Sequence, residues 1–544
     1  MKKHKYLYII ASVLLIALMG FKNDIYLQIN KSFDIFSNIY RLILENYVLE
    51  IDTETLIKGG VEGMLKTLDP YTEYYDAKDT GELEYFASGA YTGLGISVSV
   101  IDSQLTITEV RENYPAYKSG IKVGDKIYKI DSNIVININS EKLRDFTKGE
   151  QGTKLTMYVI NNKNDTTEHI VTREIIKMEN ISYYDILDSN VAYIKLDRFT
   201  KTTATDMKKA IYDLRKKGKF NGMIIDLRDN PGGLLDASVK VAELFLPENS
   251  LIVTTKRRNS EKTGEFYTYN EPLEPDVPLC ILINEGTASA SEIVAGAIQD
   301  YDRGIIVGKK SFGKGLVQSI FDVPYNGHLK MTTSKYYTPS GRCIQRLDFA
   351  EKYQDNGVNN AKDTVQYSTK NGRKVYELTG ILPDTTIISE INNPIYEDLF
   401  NNFVFFKFAE EYLKVNNLSN KIDDINDEKL VSDFIKFVKE SDIKYNSKVF
   451  SSIKNIQNEL EKSKISKSTI EAISKLENDI KDNLLSSLEK NKPELSNLIK
   501  YEIYLRILNE KEILKQIVVN DLIIKKSINL LISDSYNRLL NPNN

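Results

Sequence analysis

The chain has 544 residues, which is too long for one hydrophobic core, so about three to five folding units are expected. Lys and Arg total 72 against 76 Asp and Glu, and this net charge of −4 excludes a global basic field for nucleic acid. The two cysteines, Cys280 and Cys343, cannot build a disulfide framework, and three histidines argue against a zinc site. We therefore expect no metal and no cofactor.

The first 23 residues have the pattern of an export signal. Lysines precede an apolar run from Tyr6 to Phe21, and a polar chain follows at once. The run is shorter than the ~20 residues of a comfortable membrane span, yet no clear A-x-A cleavage site follows it. We expect 1–23 to be an export signal or membrane anchor, with an uncleaved anchor favoured. The rest of the chain would then lie outside the cytoplasmic membrane, in a bacterial cell envelope or periplasm.

Two regions with different patterns of apolar residues follow the leader. Residues 24–86 show apolar positions at helical spacing, as in SFDIFSNIYRLILENYV, and are expected to form an N-terminal helical region. Residues 87–172 change to short alternating runs such as GISVSVI, LTITEV and KLTMYVI, separated by Gly and Asn turns. This second pattern predicts a small β-rich domain.

The remainder divides near residue 390. Over 173–390 the short β-rich runs VAYIKL, GMIIDLR, LCILIN and GIIVG alternate with helical segments, which predicts an α/β domain with parallel strands. Residues 391–544 are rich in Lys, Glu, Asn and Leu and read as amphipathic helices. This tail contains no motif that indicates catalysis, and we interpret it as a packing or oligomerisation module. A homo-oligomer or a regulatory partner at the helical regions stays open.

The stretch NEGTASASEI at 284–293 places three small hydroxyls at the start of a predicted helix. Ser289 and Glu292 fit the S-x-x-E capping box, in which the serine caps the helix and the glutamate reaches back. Caps are common and catalytic serines rare, so this local pattern alone favours a cap over a nucleophile.

Three segments of the α/β region each follow a strand end, where functional groups of open sheets gather. The first is DNPGG, where a Gly turn before a helix exposes backbone N–H groups that can receive an oxyanion. The second carries Ser289. The third, SFGKGLVQ, carries Lys314 between two glycines, four residues ahead of Gln318.

Ser289 and Lys314 belong to one strand–helix–strand unit, so a right-handed crossover can bring them together. A lysine can activate a serine only when neutral, which requires burial to lower its pKa from the ordinary value of about 10.4. Gln318 could orient the amine by a hydrogen bond. From the residues alone, the Ser–Lys dyad and the purely structural interpretation both stay open.

A set of motifs in the order GISVSV, PAYKSGIKVGDKIYKID, DLRDNPGGLLD, NEGTASASEIVAGAIQD, SFGKGLVQ and YYTPSGRCIQ resembles the carboxyl-terminal processing proteases. These are tail-specific serine peptidases of family S41 with an inserted PDZ domain, and the resemblance covers roughly residues 35–390. It implies a multidomain α/β fold with a ClpP/crotonase-like core at 173–390 and a PDZ domain at 87–172. It also implies cleavage of proteins near apolar C-termini.

The resemblance assigns roles to individual residues of the core. Ser289 would be the nucleophile, Lys314 the general base and Gln318 the residue that orients the base. The oxyanion donors would be the backbone N–H of Ala290 and that of a glycine in the NPGG turn. Gly233 is slightly favoured over Gly232 for this second donor. Glu292 is interpreted as a cap or support and not as a direct participant.

The same resemblance places a peptide carboxylate at the loop YTGLGI of the PDZ domain. The backbone N–H groups of Gly93, Leu94, Gly95 and Ile96 would receive the C-terminus, and the peptide would pair as an added strand. The expected partners are protein or peptide substrates with apolar C-termini.

The sequence thus predicts an exported serine endopeptidase with a Ser–Lys dyad. A non-catalytic PDZ adaptor on an inactive protease scaffold is the alternative, against which the intact Ser289, Lys314 and Gln318 argue. Acyl-CoA chemistry of the crotonase type shares the implied fold but would need neither the dyad nor a PDZ domain.

Overall fold

The computed structural model of the protein describes residues 26–541 with internal gaps, so the expected leader at 1–23 lies outside the described residues. The gaps are 78–80, 82, 84, 86–87, 136–142, 144–145, 259–262, 347–364, 388–393, 417–424, 442, 444–447 and 463–466. Within the described part, none of the helices combines the length and apolar character that a bilayer crossing requires.

The chain divides into two compact units, Met1–Tyr75 with Ile320–Met331 and Asp76–Ser319 with Thr332–Asn544. In the first unit, residues 26–46 form helix α1 and Thr53–Leu65 form α2. The Asp52 side chain caps α2 by accepting the Thr55 N–H. Strand β1 (Glu73–Tyr75) pairs antiparallel with residues 328–330. Helix therefore dominates residues 26–75, which lie within the region 24–86 that is expected to be helical.

The second unit begins with a β-rich domain whose sheet has the strand order β3-β4-β5-β7-β8, with antiparallel neighbours. Strand β6 adds to β5, and β2 pairs separately with β9. Apolar side chains that alternate along the strands fill its core, which is why the sequence shows period-two runs. The elements are β2 (Ala90–Gly93), β3 (Ile96–Ile101), β4 (Gln104–Val110), α3 (Pro115–Lys118), β5 (Lys126–Ile130), β6 (Asn133–Ile134), β7 (Lys154–Ile160), β8 (Thr166–Thr172) and β9 (Glu174–Lys177).

The α/β domain is built on a sheet of order β10-β11-β12-β15-β16-β21, in which every pair from β11 onwards is parallel. Its elements are β10 (Ile181–Leu187), β11 (Val191–Leu196), α4 (Thr203–Lys217), β12 (Gly222–Asp226), α5 (Leu235–Ala242), β13 (Leu251–Arg257), β14 (Thr263–Tyr267), β15 (Leu279–Ile283), α6 (Ala290–Asp300), β16 (Ile305–Gly308), β17 (Leu316–Val323), β18 (Gly327–Tyr337), β19 (Gln366–Ser368), β20 (Lys374–Tyr376) and β21 (Thr385–Thr386).

The parallel strands predicted from the sequence are present, but they are not the whole architecture. Strand β13 pairs antiparallel with β14 and with residues 334–337 of β18, which the expectation of parallel strands did not include. The polar stretch 350–374 lies partly outside the described residues, and β19 with β20 forms a small hairpin near its end.

Helices follow to the end of the described chain and serve two packing roles. One group forms its own apolar core, in which Phe405, Phe434 and Leu495 are buried. The last helices cover one face of the parallel sheet, where Ile524 and Leu531 pack with sheet residues. The helices are α7 (Pro394–Asn401), α8 (Val404–Val415), α9 (Asp427–Glu440), α10 (Lys448–Lys462), α11 (Lys467–Leu488), α12 (Lys492–Ile507), α13 (Glu510–Asn520), α14 (Leu522–Leu531) and α15 (Ser535–Leu540).

Candidate active site

The three hydroxyls of NEGTASASEI are not equivalent in the structure. Thr287 and Ser291 are fully buried, and their hydroxyls donate to the Leu227 and Asn230 carbonyl oxygens at 2.8 and 3.0 Å. Ser289 is partly exposed and lies immediately before α6. Burial and bonding therefore give Thr287 and Ser291 structural roles and leave Ser289 as the hydroxyl that a substrate can reach.

The backbone of Ser289 has φ 56° and ψ −117°, a conformation that residues with a side chain rarely adopt. Such strain costs about 1–3 kcal/mol and persists only where the surroundings enforce it, which is common at functional sites. Here the Ser289 N–H donates to Glu292 at 2.8 Å, and the buried Tyr336 hydroxyl donates to the Ser289 carbonyl oxygen at 3.1 Å. Of the predicted capping box, the half in which Glu292 reaches back to the Ser289 N–H is present, while the Glu292 N–H donates to the Ser289 carbonyl oxygen at 2.8 Å.

The Glu292 carboxylate is fully buried and joins the two loops that carry the predicted dyad. Its Oε2 accepts the Ser289 N–H at 2.8 Å and the Lys314 N–H at 2.9 Å, while Oε1 accepts Ser311 Oγ at 2.5 Å and the Gly313 N–H at 2.8 Å. Because one oxygen holds both N–H groups, the backbone nitrogens of Ser289 and Lys314 are less than about 6 Å apart.

Burial raises the pKa of Glu292 above its usual value, against these same hydrogen bonds, which favour the ionised form. Four donors around one carboxylate compensate much of the cost of burying it. The interpretation of Glu292 as a cap and support agrees with this arrangement.

Glycines on both sides of Lys314 let its loop pass close to other backbone. Gly313 has φ +84°, a left-handed conformation, and an added Cβ would lie 2.7 Å from Arg346 Cβ. A Cβ on Gly315 would lie 2.8 Å from the Gln345 backbone nitrogen, and the Gly315 N–H donates to Gln345 Oε1 at 2.7 Å. The loop is thus fixed on both sides of Lys314, which is itself partly buried.

Gln318 lies on β17, and its amide nitrogen Nε2 donates to Thr332 Oγ1 at 3.1 Å. This bond orients the amide and leaves its oxygen as the atom that could accept from an ammonium group. The proposed contact of Gln318 with Lys314 stays a prediction.

The NPGG turn packs directly against the start of α6. A Cβ on Gly232, at φ +99°, would lie 2.9 Å from both Ser289 Cβ and the Ala290 backbone nitrogen. The Gly232 N–H is already donated to Asn230 Oδ1 at 2.9 Å. Among the described residues, the Gly233 and Ala290 N–H groups have no hydrogen-bond partner. These two are therefore the donors left for a ligand.

Several residues that support the site were not singled out from the sequence. Asn230 accepts the Ala288 N–H at 3.0 Å through its carbonyl oxygen, so the NPGG turn is bonded to the residue before Ser289. Ser311, Tyr336 and Gln345 contribute the contacts described above. Each lies next to or within a motif already quoted, such as SFGKG or YYTPSGRCIQ, but polar residues of a motif carry no sign of which atoms they contact.

The loop predicted to bind a peptide carboxylate lies at the edge of the β-rich domain. Gly95 has φ +76°, and a Cβ there would lie 2.6 Å from Tyr114 Cβ, so only glycine fits. Gly93 ends β2, Leu94 is buried in the domain core, and Ile96 begins β3. In the described sheet, β3 is an edge strand, which is the position that an added peptide strand would need.

The described residues include no group of three or more His, Cys, Asp or Glu side chains arranged to hold a metal ion.

Comparison with known families matches the chain in four segments. These are an N-terminal domain of activating protease CtpB at 20–80, a PDZ domain at 87–160, peptidase family S41 at 190–353 and a C-terminal helical domain of probable PDZ-proteases at 395–531. A carboxy-terminal-processing protease of Bartonella bacilliformis is 37% identical over 57% of this chain and 72% of its own length. The chain belongs to the carboxyl-terminal processing proteases of family S41.

Two further matches cover more of this chain at lower identity. A probable CtpA-like serine protease of Staphylococcus epidermidis is 30% identical over 72% of this chain and 81% of its own length. Among solved structures, a photosystem II D1 C-terminal processing protease is 22% identical, with a TM-score of 0.38 over 65% of this chain and 93% of that chain. Family membership favours a peptidase over both the adaptor and the acyl-CoA alternatives.

Proposed function

We propose that the protein is a serine endopeptidase with a Ser289–Lys314 dyad, built on a ClpP/crotonase-like core. The observation that carries the proposal is the single Glu292 oxygen that accepts the N–H groups of both residues. A nucleophile and its base must be held in fixed relative position, and this shared acceptor fixes their backbones.

The chemistry follows from the atoms at hand. The neutral Lys314 amine takes the proton of the Ser289 hydroxyl as Oγ attacks the scissile carbonyl, and the tetrahedral oxyanion receives the Ala290 and Gly233 N–H groups. The ammonium then gives its proton to the leaving amine, and an acyl-enzyme forms. Water, deprotonated by the same amine, hydrolyses the ester and restores Ser289. Gln318 would accept from the Lys314 amine and orient it.

Substrate selection is assigned to the β-rich domain. An apolar C-terminus would pair with the edge of β3 while its carboxylate meets the N–H groups of the loop from Gly93 to Ile96. We further propose that the catalytic part works outside the cytoplasmic membrane of a bacterial cell envelope, attached or exported through 1–23. This location rests on the leader pattern alone.

The test uses the full chain and a protein substrate ending in apolar residues, beside the same substrate with a polar tail. Ser289→Ala and Lys314→Ala should each lower cleavage by about 10²- to 10⁴-fold, as expected for loss of nucleophile or base. Lys310→Ala is the matched control, since Lys310 is an exposed lysine four residues away.

Equal digestion by wild type and both dyad variants would show that the dyad assignment is wrong. Equal digestion of the apolar-tailed and polar-tailed substrates would instead remove the assigned role of the β-rich domain. The adaptor alternative predicts that Ser289→Ala leaves cellular function unchanged.

A further inference from the structure

An ion network at the carboxyl end of β12 connects the protease core with the C-terminal helices. Arg228 follows Asp226, the last residue of β12, and donates to its carboxylate through Nε at 2.9 Å and Nη2 at 2.5 Å. Its remaining nitrogen, Nη1, donates to Asp521 Oδ2 at 2.8 Å. Asp521 lies 293 residues further along the chain, and both side chains of this pair are less than one fifth exposed.

Asp521 is itself held in place before it meets Arg228. Its Oδ1 accepts the N–H groups of Ile523 and Ile524 at 2.7 and 3.0 Å, so it caps α14. Since α14 packs on the parallel sheet through Ile524, the carboxylate has a fixed position relative to β12. One oxygen therefore belongs to the helix cap and the other to Arg228.

Arg228 stands at the beginning of the turn that touches the nucleophile. Two residues later, the Asn230 carbonyl oxygen accepts the Ala288 N–H and the Ser291 hydroxyl, each at 3.0 Å. These residues lie on either side of Ser289. Any shift of the turn at Arg228 therefore moves contacts on both sides of the catalytic serine and moves the Gly233 N–H with them.

Asp521 supplies the second carboxylate that Arg228 contacts. The ammonium of Lys195 lies 3.6 Å from the Asp226 carboxylate and donates to the Arg228 carbonyl oxygen, so Lys195 already shares Asp226 with Arg228. Without the Asp521 carboxylate, the Nη1 group of Arg228 loses its charged acceptor. A cavity of about 390 Å³ borders Arg228, Asp229 and Asp521, and it gives a released side chain room to turn away.

We propose that Asp521 is a positioning residue for peptide cleavage, through which the C-terminal helices hold the NPGG turn against Ser289. This inference rests on the proposed function, because the turn matters only if Ser289 and the Gly233 N–H take part in the reaction. It assigns to the C-terminal helices a part in the active site in addition to their packing.

The experiment compares Asp521→Asn with wild type in the full chain, below the temperature at which either begins to unfold. Asparagine keeps an oxygen for the cap of α14 but offers Arg228 an amide N–H₂ in place of the carboxylate. We expect kcat to fall at least tenfold while KM changes less than twofold, and Asp521→Glu to recover part of the loss. Asn509→Ala is the control, because Asn509 caps α13 through bonds that stay within that helix.

Arg228→Lys provides the second measurement, since lysine lacks the planar guanidinium that contacts both oxygens of Asp226 while Nη1 reaches Asp521. If the two residues act through each other, the double variant Arg228→Lys/Asp521→Asn should be no slower than the slower single variant. Additive losses, or a kcat of Asp521→Asn within twofold of Asn509→Ala, would overturn the inference. Ser289→Ala is measured alongside to distinguish failure of the proposed function from failure of the positioning role. If Ser289→Ala stays fully active, the proposed function is wrong. If Ser289→Ala is inactive and Asp521→Asn is unaffected, only the positioning role is refuted.

Discussion

Replacing Glu292 by glutamine distinguishes a supporting carboxylate from one that takes part in proton transfer. An amide keeps the shape of the side chain but exchanges one acceptor oxygen for an N–H₂ donor. The side chain can place this N–H₂ in either of two positions. At the Oε2 position it would face the N–H groups of Ser289 and Lys314, and neither backbone donor can reverse. At the Oε1 position it would face the Gly313 N–H and the Ser311 hydroxyl.

Ser311 Oγ already accepts the Ile381 N–H at 2.6 Å, but a hydroxyl oxygen can accept a second bond when its own O–H rotates away. The second orientation therefore sets the N–H₂ against one backbone N–H, that of Gly313, instead of two. A buried unsatisfied donor costs about 1–3 kcal/mol, so the orientation with the N–H₂ at the Oε1 position is favoured over the other by about that amount. The same cost is the expected loss in free energy of unfolding. The Ser289 and Lys314 N–H groups then keep their acceptor oxygen. We expect Glu292→Gln to remain folded, to lose about 1–3 kcal/mol of stability and to lose less than tenfold in kcat.

The assay combines chemical denaturation with steady-state cleavage of an apolar-tailed peptide. Glu285→Gln is the matched control, because Glu285 is an exposed carboxylate in the same loop that pairs with Lys309. A folded Glu292→Gln variant whose kcat is lowered by 10²-fold or more would refute the reasoning, since that loss is the size expected of a general acid or base. Glu292→Ala, which leaves four donors unsatisfied, should not fold stably.

Three further predictions concern the turn, the peptide loop and pH. Gly232→Ala should lower kcat by at least about 100-fold in the same assay, because its Cβ would lie 2.9 Å from Ser289 Cβ. Gly95→Ala should raise KM for apolar-tailed but not polar-tailed substrates, because its Cβ would displace Tyr114. Burial acts to raise the pKa of Asp226, but Arg228 and Lys195 outweigh it and hold the pKa well below its usual value. The stability that Asp226 contributes is therefore present above pH about 4 and lost as pH falls, so Asp226→Asn should lose less unfolding free energy between pH 7 and pH 3 than wild type.

The convergence of Ser289 and Lys314 could be predicted because it depends on local pattern and on a general rule. The runs LCILIN and GIIVG have the residue pattern of buried strands, and the segment between them reads as a helix. Parallel strands joined by a helix end at the same sheet edge. The pairing of Cys280 with Ile305 and of Ile281 with Ile306 confirms this unit. The shared acceptor at Glu292 could not be read in the same way, since three of its four donors are backbone N–H groups that any residue provides.

Gly232 and Gly233 show a second limit of sequence reasoning. Both are glycines of one turn, and nothing in their type decides which N–H would face an oxyanion. The structure separates them through Asn230, whose side-chain oxygen occupies the Gly232 N–H. Likewise, the pair of Arg228 and Asp521 joins residues 293 positions apart, and neither position differs from an ordinary surface charge in the sequence.

The saturation of Glu292 explains how a carboxylate can lie beside a nucleophile without serving as its base. A carboxylate offers about four lone-pair sites, and Ser289, Ser311, Gly313 and Lys314 supply four donors. No acceptor site then remains for the proton of the Ser289 hydroxyl, and the negative charge is compensated within the loops that it joins. In the proposed mechanism, the base must therefore be the Lys314 amine, whose backbone the same carboxylate fixes. The bond from the Ser289 N–H to Glu292, which the sequence pattern first explained as part of a helix cap, thus also belongs to the contacts that hold the proposed dyad.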